Sequence, residues 1–394
     1  MVEVAYIFER FPSFGQTFCY REVLELERQG ARLRLFSIRR PTDGPIQDWD
    51  PQLVDSVHYL PDEASLLREV NEGYATGRLP EATRREIEDW GKATDFLRLY
   101  QAAYIGMKLQ EEGPRRVHAH FAGMAARTAF WIRKFFGIPF SFTAHANDIF
   151  APNKFAIDLE KLMESASAIV TVSDFAVSYL RERYPASADR IHRVYNGIVI
   201  EQFASARSRS EPPLILGVGR LIEKKGFAHL IEACDELRKR ENQFRCEIIG
   251  EGPLEGELRA QIDRLQLATI VALTGSKSQT EIAERLAAAS VFVLPCVIDA
   301  AGDRDNLPTV IMEAMAAGLP VVSTLVGGVP EMVAHDATGI LVPPGDFAVL
   351  AGAIERLLAD PDRARRFGEQ GRTRARELFS VEKTVRQLSE VLAR

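Results

Sequence analysis

The sequence predicts an α/β protein of two tandem domains, each a doubly wound parallel sheet, facing each other across a cleft. Three observations carry this. The 394 residues exceed what one ordinary compact core holds. Short apolar runs alternate with amphipathic helical stretches along nearly the whole chain. The alternation also breaks at the polar, proline-containing stretch ASARSRSEPPL, and restarts cleanly beyond it. The break divides the chain into residues 1–202 and 203–379, with a final helix at about 380–394.

In the first half, VAYIFE reads as a buried strand, and the turn RFPSFGQTF follows it. Gly15 in that turn suits a close approach of backbone to a ligand. TFCYREVLELERQG is a helix with Gly30 as its C-cap, and RLRLFSI is the next strand. Residues 62–113 read as a mostly helical insertion. Strand RRVHAHF, helix MAARTAFWIRKFF and strand IPFSFTAH resume the alternation. A helix around KFAIDLEKLME, strand AIVTVS, helix FAVSYLRERY and strand RIHRVYNG complete it. The second half runs LILGVGR, GFAHLIEACDELRK, FRCEIIG, LEGELRAQIDRLQL, TIVALTG, EIAERLAAA, VFVLP, a further strand–loop–helix–strand unit, and GILVPPGD. Two or three helices then close the chain. The last, VEKTVRQLSEVLAR, has an apolar face that must be covered.

Composition narrows the function. The apolar and charged fractions are those of a globular protein, and a net charge of −6 argues against nucleic acid as partner. Cys19, Cys234, Cys246 and Cys296 show no metal or disulfide spacing. The opening MVEVAYIFERFP has no long apolar run, so the expected location is cytoplasmic, at most peripheral at the inner face of a membrane.

Candidate chemistry gathers where strands end. In GVGRLIEKKG, Arg220 and Lys225 follow a strand end marked by Gly217 and Gly219, and suit a phosphate or diphosphate. A dinucleotide fingerprint fails, because Ile222 stands where its third glycine belongs. Gly250 and Gly252 mark a tight turn in IIGEGP. In the unit from Val291 to Val333, Asn306 reads as a helix N-cap, Pro308 lies just inside the helix and Gly318 ends it. The start of that helix, with Asn306, Leu307, Pro308 and Thr309, offers N–H groups to an anion. Glu313 inside the helix and Asp305 before it can take hydrogen bonds from sugar hydroxyls. Gly327 and Gly328 open another helix start.

The succession GRLxxxKG, IIGEGP, a carboxylate and a glutamate eight residues apart in DNLPTVIMEAMAAGLPVVST, GGVPE and GILVPPGD resembles the GT4 family of retaining glycosyltransferases. HAHF, SFTAHANDIF, VTVSDF and VYNG are similar to its bacterial exopolysaccharide branch, which includes colanic-acid enzymes. The resemblance implies a GT-B fold whose last helix crosses back to the first domain. It implies sugar transfer from a nucleoside-diphosphate sugar, a UDP-sugar before a GDP-sugar, to a carbohydrate or lipid-linked acceptor. No metal or other cofactor is implied. Arg220 and Lys225 would stabilise the leaving diphosphate, Glu313 would hold the ribose and Asp305 the transferred sugar. His145 would border the reacting carbon. Gly15, Gly219, Gly250 and the residues Asn306 to Thr309 would line the donor site, and His120, Asn147 and Asp148 the acceptor side. Asn196 and Gly197 would sit at the domain junction.

The chain departs from that pattern: Asp305 replaces the usual glutamate, Asn306 the usual glycine, and FGQTF stands where relatives more often have LSETF. Two other readings are therefore carried, a GT-B epimerase or hydrolase of sugar nucleotides and a non-catalytic binding homologue. Asp303 and Asp305 spell a manganese-type DxD, and His118, His120 and His145 imitate a zinc set. The tandem domains and the existing cations argue against the first, and a packing role for His118 against the second. RTAFWIRKFFG is either a membrane-surface helix using Trp131, Phe135, Arg133 and Lys134, or a helix packed on the sheet.

Overall fold

A computed structural model describes residues 2–41, 49–90, 95–151, 155–204 and 210–393. Residues 205–209 of ASARSRSEPPL, and Lys154 in KFAIDLEKLME, lie outside the described residues. The strands are β1 (Glu3–Arg10), β2 (Arg32–Arg39), β3 (His58–Tyr59), β4 (Val117–His120), β5 (Phe140–Ala144), β6 (Ala168–Thr171) and β7 (Ile191–Arg193). Beyond the break come β8 (Leu214–Val218), β9 (Arg245–Ile249), β10 (Val271–Leu273), β11 (Val291–Leu294), β12 (Val321–Thr324) and β13 (Gly339–Val342).

All strand pairs are parallel, and the two sheets have the orders β3-β2-β1-β4-β5-β6-β7 and β10-β9-β8-β11-β12-β13. Strands covered by helices on both faces are buried throughout, which is why VFVL is wholly apolar and the hydroxyls of Ser141, Thr143, Ser323 and Thr324 in FSFTA and VVST all have hydrogen-bond partners. Each sheet reverses its winding once, between β1 and β4 and between β8 and β11. In open parallel sheets ligands bind outside the carboxyl ends of strands at such reversals. The insertion is helical as expected, with helices Glu63–Ala75, Glu81–Trp90 and Phe96–Glu112. The two-residue β3 is a strand the alternation did not show.

Helix Met124–Phe136 buries Trp131 and Phe135 in the first domain's core, while Lys134 pairs outside with Glu86. Its aromatics pack within the domain and are not offered to a lipid surface. The closing helix Val381–Leu392 buries Val381, Thr384, Val385, Leu388, Val391 and Leu392, a helical spacing. That face packs with Val4, Tyr6, Val23, Leu26, Ala168 and Val170 of the first domain, so the helix does cross back. The junction is tight there. A Cβ on Gly197 would fall 2.6 Å from Val381 Cα, and Ile198 exchanges backbone hydrogen bonds with Phe379 and Val381.

The helix after β11 starts later than the sequence indicates. Asn306 is not its cap: Pro308 is, and the helix spans Thr309–Ala316. The physical reason is competition. The Asn306 side-chain oxygen is taken by Ser173 Oγ of the other domain, and its carbonyl accepts from Gly328 N at 2.7 Å. Gly318, at φ 73°, ends the helix as expected.

Leu388→Ala removes a fully buried side chain at the seam between the closing helix and the first domain. It should lower unfolding free energy by about 2–5 kcal/mol, read by chemical denaturation.

Candidate functional site at the two winding reversals

On the second domain's wall, the loop after β8 and the loop after β11 meet. Lys225 Nζ lies 2.7 Å from Asp305 Oδ2, and Lys224 Nζ lies 2.7 Å from Asp303 Oδ2. Both carboxylates of the DxD thus face ammonium groups. Among the described residues no group of three or more His, Cys, Asp or Glu side chains is placed to hold a metal ion. Burial opposes the Lys225 charge, but Asp305 outweighs it and raises the pKa, so Lys225 remains an ammonium. The Cys296 thiol, pushed well up by burial and then by Asp305, donates to Asp305 Oδ2 at 3.4 Å. Arg220 is exposed and its guanidinium makes no ion pair among the described residues.

Two glycines allow this wall to form. A Cβ on Gly327 (φ 56°) would lie 2.1 Å from the Asp305 carbonyl oxygen, so only glycine lets this loop press on Asp305. Gly250 (φ 145°) similarly abuts the Gly219 carbonyl, where a Cβ would stand at 1.9 Å. Gly15, by contrast, is exposed with open space around it.

Glu313 is buried and pairs with Arg21 Nη2 of the first domain at 2.8 Å. Arg21 also contacts Gln279. Glu331 accepts from Asp174 N (2.8 Å) and Phe175 N (2.7 Å), closing the start of a first-domain helix from across the interface. Arg304, next to Asp305, lies 5.4 Å from the Phe150 ring centre. Phe150 ends the short helix Ala146–Phe150 that His145 begins, so the His145 and Asp305 walls approach one another here.

On the first domain's wall, His118 is a core residue. Its ring nitrogens meet Ser141 Oγ (2.8 Å) and Thr143 Oγ1 (3.0 Å), and burial lowers its pKa. His120, expected to face the acceptor side of the cleft, is instead fully buried, because Glu22 Oε1 at 2.9 Å and the stacked Phe8 ring cover it. His145 is packed by Phe18 and Phe121. Phe121 holds φ 70°, a strained backbone for a bulky residue, and such strain gathers at functional sites. Asp148 accepts from His145 N at 2.9 Å, and Asn147 stands exposed on the rim.

A concavity of about 580 Å³ lies beside the Lys224–Lys225 turn, lined by Ile222, Phe227, Leu254, Val297 and Ile298 among others. It does not include Arg220, Lys225, Asp305, Glu313 or His145, so the clustered charges and not this hollow define the site.

Sequence reasoning missed Arg21, Glu22, Lys224, Cys296, Ser173 and Glu331. For Glu22 a signal exists: it follows Phe18 by four residues, and so shares the helix face that meets His145.

Tandem parallel sheets with this order, a crossing last helix and a charged interdomain site define the GT-B class. The fold matches a glycosyltransferase structure from Rickettsia africae with TM-score 0.75 at 18% identity, covering 99% of this chain and 98% of that one. It also matches Anabaena HepE, solved with UDP, with TM-score 0.72 at 18% identity over the whole of both chains. Residues 15–202 match the model of Glycosyltransferase Family 4, and residues 199–374 that of Glycosyl transferases group 1. The chain belongs to glycosyltransferase family 4. It is 31% identical over 328 residues to alpha-maltose-1-phosphate synthase of Mycolicibacterium smegmatis, covering 74% of this chain and 81% of that protein. Similarity to two exopolysaccharide proteins is more local. The putative colanic acid biosynthesis glycosyltransferase WcaL of Escherichia coli is 34% identical over 61% of this chain and 60% of its own. The amylovoran biosynthesis glycosyltransferase AmsK of Erwinia amylovora is 39% identical over 52% and 51%. The chain thus spans between half and three-fifths of the length of these two relatives.

Burial raises the Asp148 pKa to about 6, against the opposing pull of the His145 and Ala122 N–H groups and Arg127. An acid raised on folding keeps its proton longer in the native state, so stability falls as pH climbs from about 4 to about 6. Asp148→Asn should flatten that decline, measured as unfolding free energy against pH.

Proposed function

We propose that this chain transfers a sugar from a nucleoside-diphosphate sugar to an acceptor hydroxyl, with retention of anomeric configuration and without a metal ion. The observation that carries the reading is the Lys225–Asp305 pair beside exposed Arg220, set across the domain interface from His145. Arg220 and Lys225 supply the positive charge that a departing diphosphate needs. Charge placed in advance where negative charge develops needs no reorganisation during reaction. Asp305 holds the transferred sugar, and Glu313 binds the ribose after exchanging Arg21 for hydroxyls. Gly15, Gly219, Gly250 and the helix start from Asn306 to Thr309 line the donor. Asn147 and Asp148 lie on the acceptor side, with buried His120 behind them. The departing phosphate takes the acceptor proton on the face where the acceptor attacks, so no strong base is required.

WcaL and AmsK support an acceptor in polysaccharide assembly, either a growing glycan or its lipid-linked form. For the donor we favour uridine, as in the HepE complexes, over the GDP-mannose named for mycobacterial relatives at 33% identity. No helix among the described residues is long and apolar enough to cross a membrane.

A panel of UDP- and GDP-sugars, scored by thermal shift and then by transfer and hydrolysis, tests the reading. UDP should raise the melting temperature more than GDP, and sugar release should depend on an acceptor. Release without an acceptor marks an epimerase or hydrolase, and binding with no turnover marks an inactive homologue. In the transfer assay, Arg220→Ala and Lys225→Ala should each lose roughly a hundredfold or more in kcat. His145→Ala should be comparably impaired. Near-normal rates in both cation variants overturn the mechanism.

A further inference from the structure

Beneath His145 lies a chain of buried polar groups that the proposed reaction does not use. Tyr6 of β1 donates its hydroxyl to Glu22 Oε1 at 2.9 Å, and the same oxygen meets His120 Nε2 at 2.9 Å. His120 Nδ1 then meets His145 Nε2 at 3.4 Å. The two rings are only 15° from parallel, with centres 5.5 Å apart. The nitrogens are closer than the centres by about 2 Å, so the rings meet edge to edge, nitrogen to nitrogen, as a hydrogen bond requires. His118 and His120 are fully buried and His145 nearly so.

We propose that Glu22 and His120 are positioning residues for His145. Glu22 holds His120 as an imidazolium that donates from both ring nitrogens, and this fixes His145 as the neutral tautomer with its proton on Nδ1. The inference rests on the proposed function only in placing His145 beside the reacting carbon.

The chemistry follows once the Glu22 carboxylate, 2.9 Å from the buried His120 ring, keeps a proton on both of its nitrogens. A carboxylate can only accept, so His120 Nε2 carries a proton. A protonated His120 also donates from Nδ1, and His145 Nε2 must then accept. Its remaining proton sits on Nδ1, and His145 offers substrate an N–H. It holds an oxygen and does not remove a proton, which agrees with a reaction whose leaving phosphate takes the acceptor's proton.

The surroundings agree. The groups facing His120 are Tyr6 from β1, Cys19 and Glu22 from helix Thr17–Arg28, His118 on its own strand, and His145 and Asp148 after β5. Burial opposes the His120 charge, yet Cys19 and Glu22 raise its pKa well above the usual value. Burial pushes the Cys19 thiol up, which leaves Glu22, 2.9 Å from His120 Nε2, as the partner of that proton. His145 is lowered, first by burial and then by His120, and stays neutral. The stabilisation from the His120 proton is complete below about pH 6.5. It is lost as pH rises through the raised folded value.

The test is nitrogen NMR of the imidazoles in the full chain labelled with ¹⁵N-histidine, which needs no substrate. At pH 7 the wild type should show His120 with both nitrogens protonated and His145 neutral with Nδ1–H. Glu22→Gln should drop the His120 titration by about one pH unit or more and release His145 into mixed tautomers. In the transfer assay Glu22→Gln should lower kcat about tenfold with KM little changed, and Glu22→Asp should restore part of it. A wild-type spectrum with neutral His120, or His145 protonated on Nε2, overturns the proposal even if no variant folds. So does a Glu22→Gln spectrum unchanged from wild type. If the relay holds while no sugar is transferred, the functional reading fails and this inference stands.

Discussion

The buried pair between Arg21 and Glu313 is the contact on which the arrangement of the two domains depends. One partner sits on the first helix after β1 and the other on the helix after β11, so the pair joins the two winding reversals directly. Removing two charges from water is costly, and a buried pair repays that only when its remaining hydrogen-bonding capacity is met. Here it is not fully met. Arg21 Nη2 serves Glu313 and Gln279, while the buried Nη1 has no hydrogen-bond partner among the described residues. An unmet buried donor costs about 1–3 kcal/mol, so the closed arrangement is held but not optimised. On the proposed function this is useful, because ribose hydroxyls can replace one side of the pair without undoing a perfect contact.

Other contacts across the interface are of the same kind. Ser173 meets Asn306, Glu331 closes a helix start, and Arg304 lies over Phe150. Each uses a polar group from the loop-and-helix region between β11 and β13, the stretch carrying Asp305 and Glu313. The residues that would hold the donor and those that hold the domains together are therefore interleaved. Asp305 and Asn306 both fall within that interleaving. Asn306 has an interdomain partner that a glycine could not provide.

The fold was legible because parallel sheets buried on both faces leave apolar runs, and because helices on their surface leave a 3.6-residue stripe. The last helix shows the same logic: its unexplained Val and Leu face found its cover on the first domain. Boundaries set by competition were not legible. Asn306 has the chemistry of a cap, but a serine more than a hundred residues away claims it. Site residues on glycine-marked loops were visible from local spacing, as with Lys225 and Asp305. Arg21 and Glu22 were not, because charge on a helix reads as surface until the partner helix or strand is placed.

Taken together, the two walls divide the work by charge. The second domain places Lys224 and Lys225 each against an aspartate, so on the proposed function an arriving diphosphate would share Lys225 with Asp305 and not simply fill an empty site. Aspartate reaches the ammonium only because Gly327 lets the neighbouring loop press against the Asp305 backbone. The first domain concentrates histidines in a dry aromatic setting, where His120, the ring proposed to be charged, is kept a layer below His145. Negative charge developing on the donor would thus meet positive groups on one wall and a neutral hydrogen-bond donor on the other. That asymmetry suits a reaction in which the leaving group, not the protein, is the base.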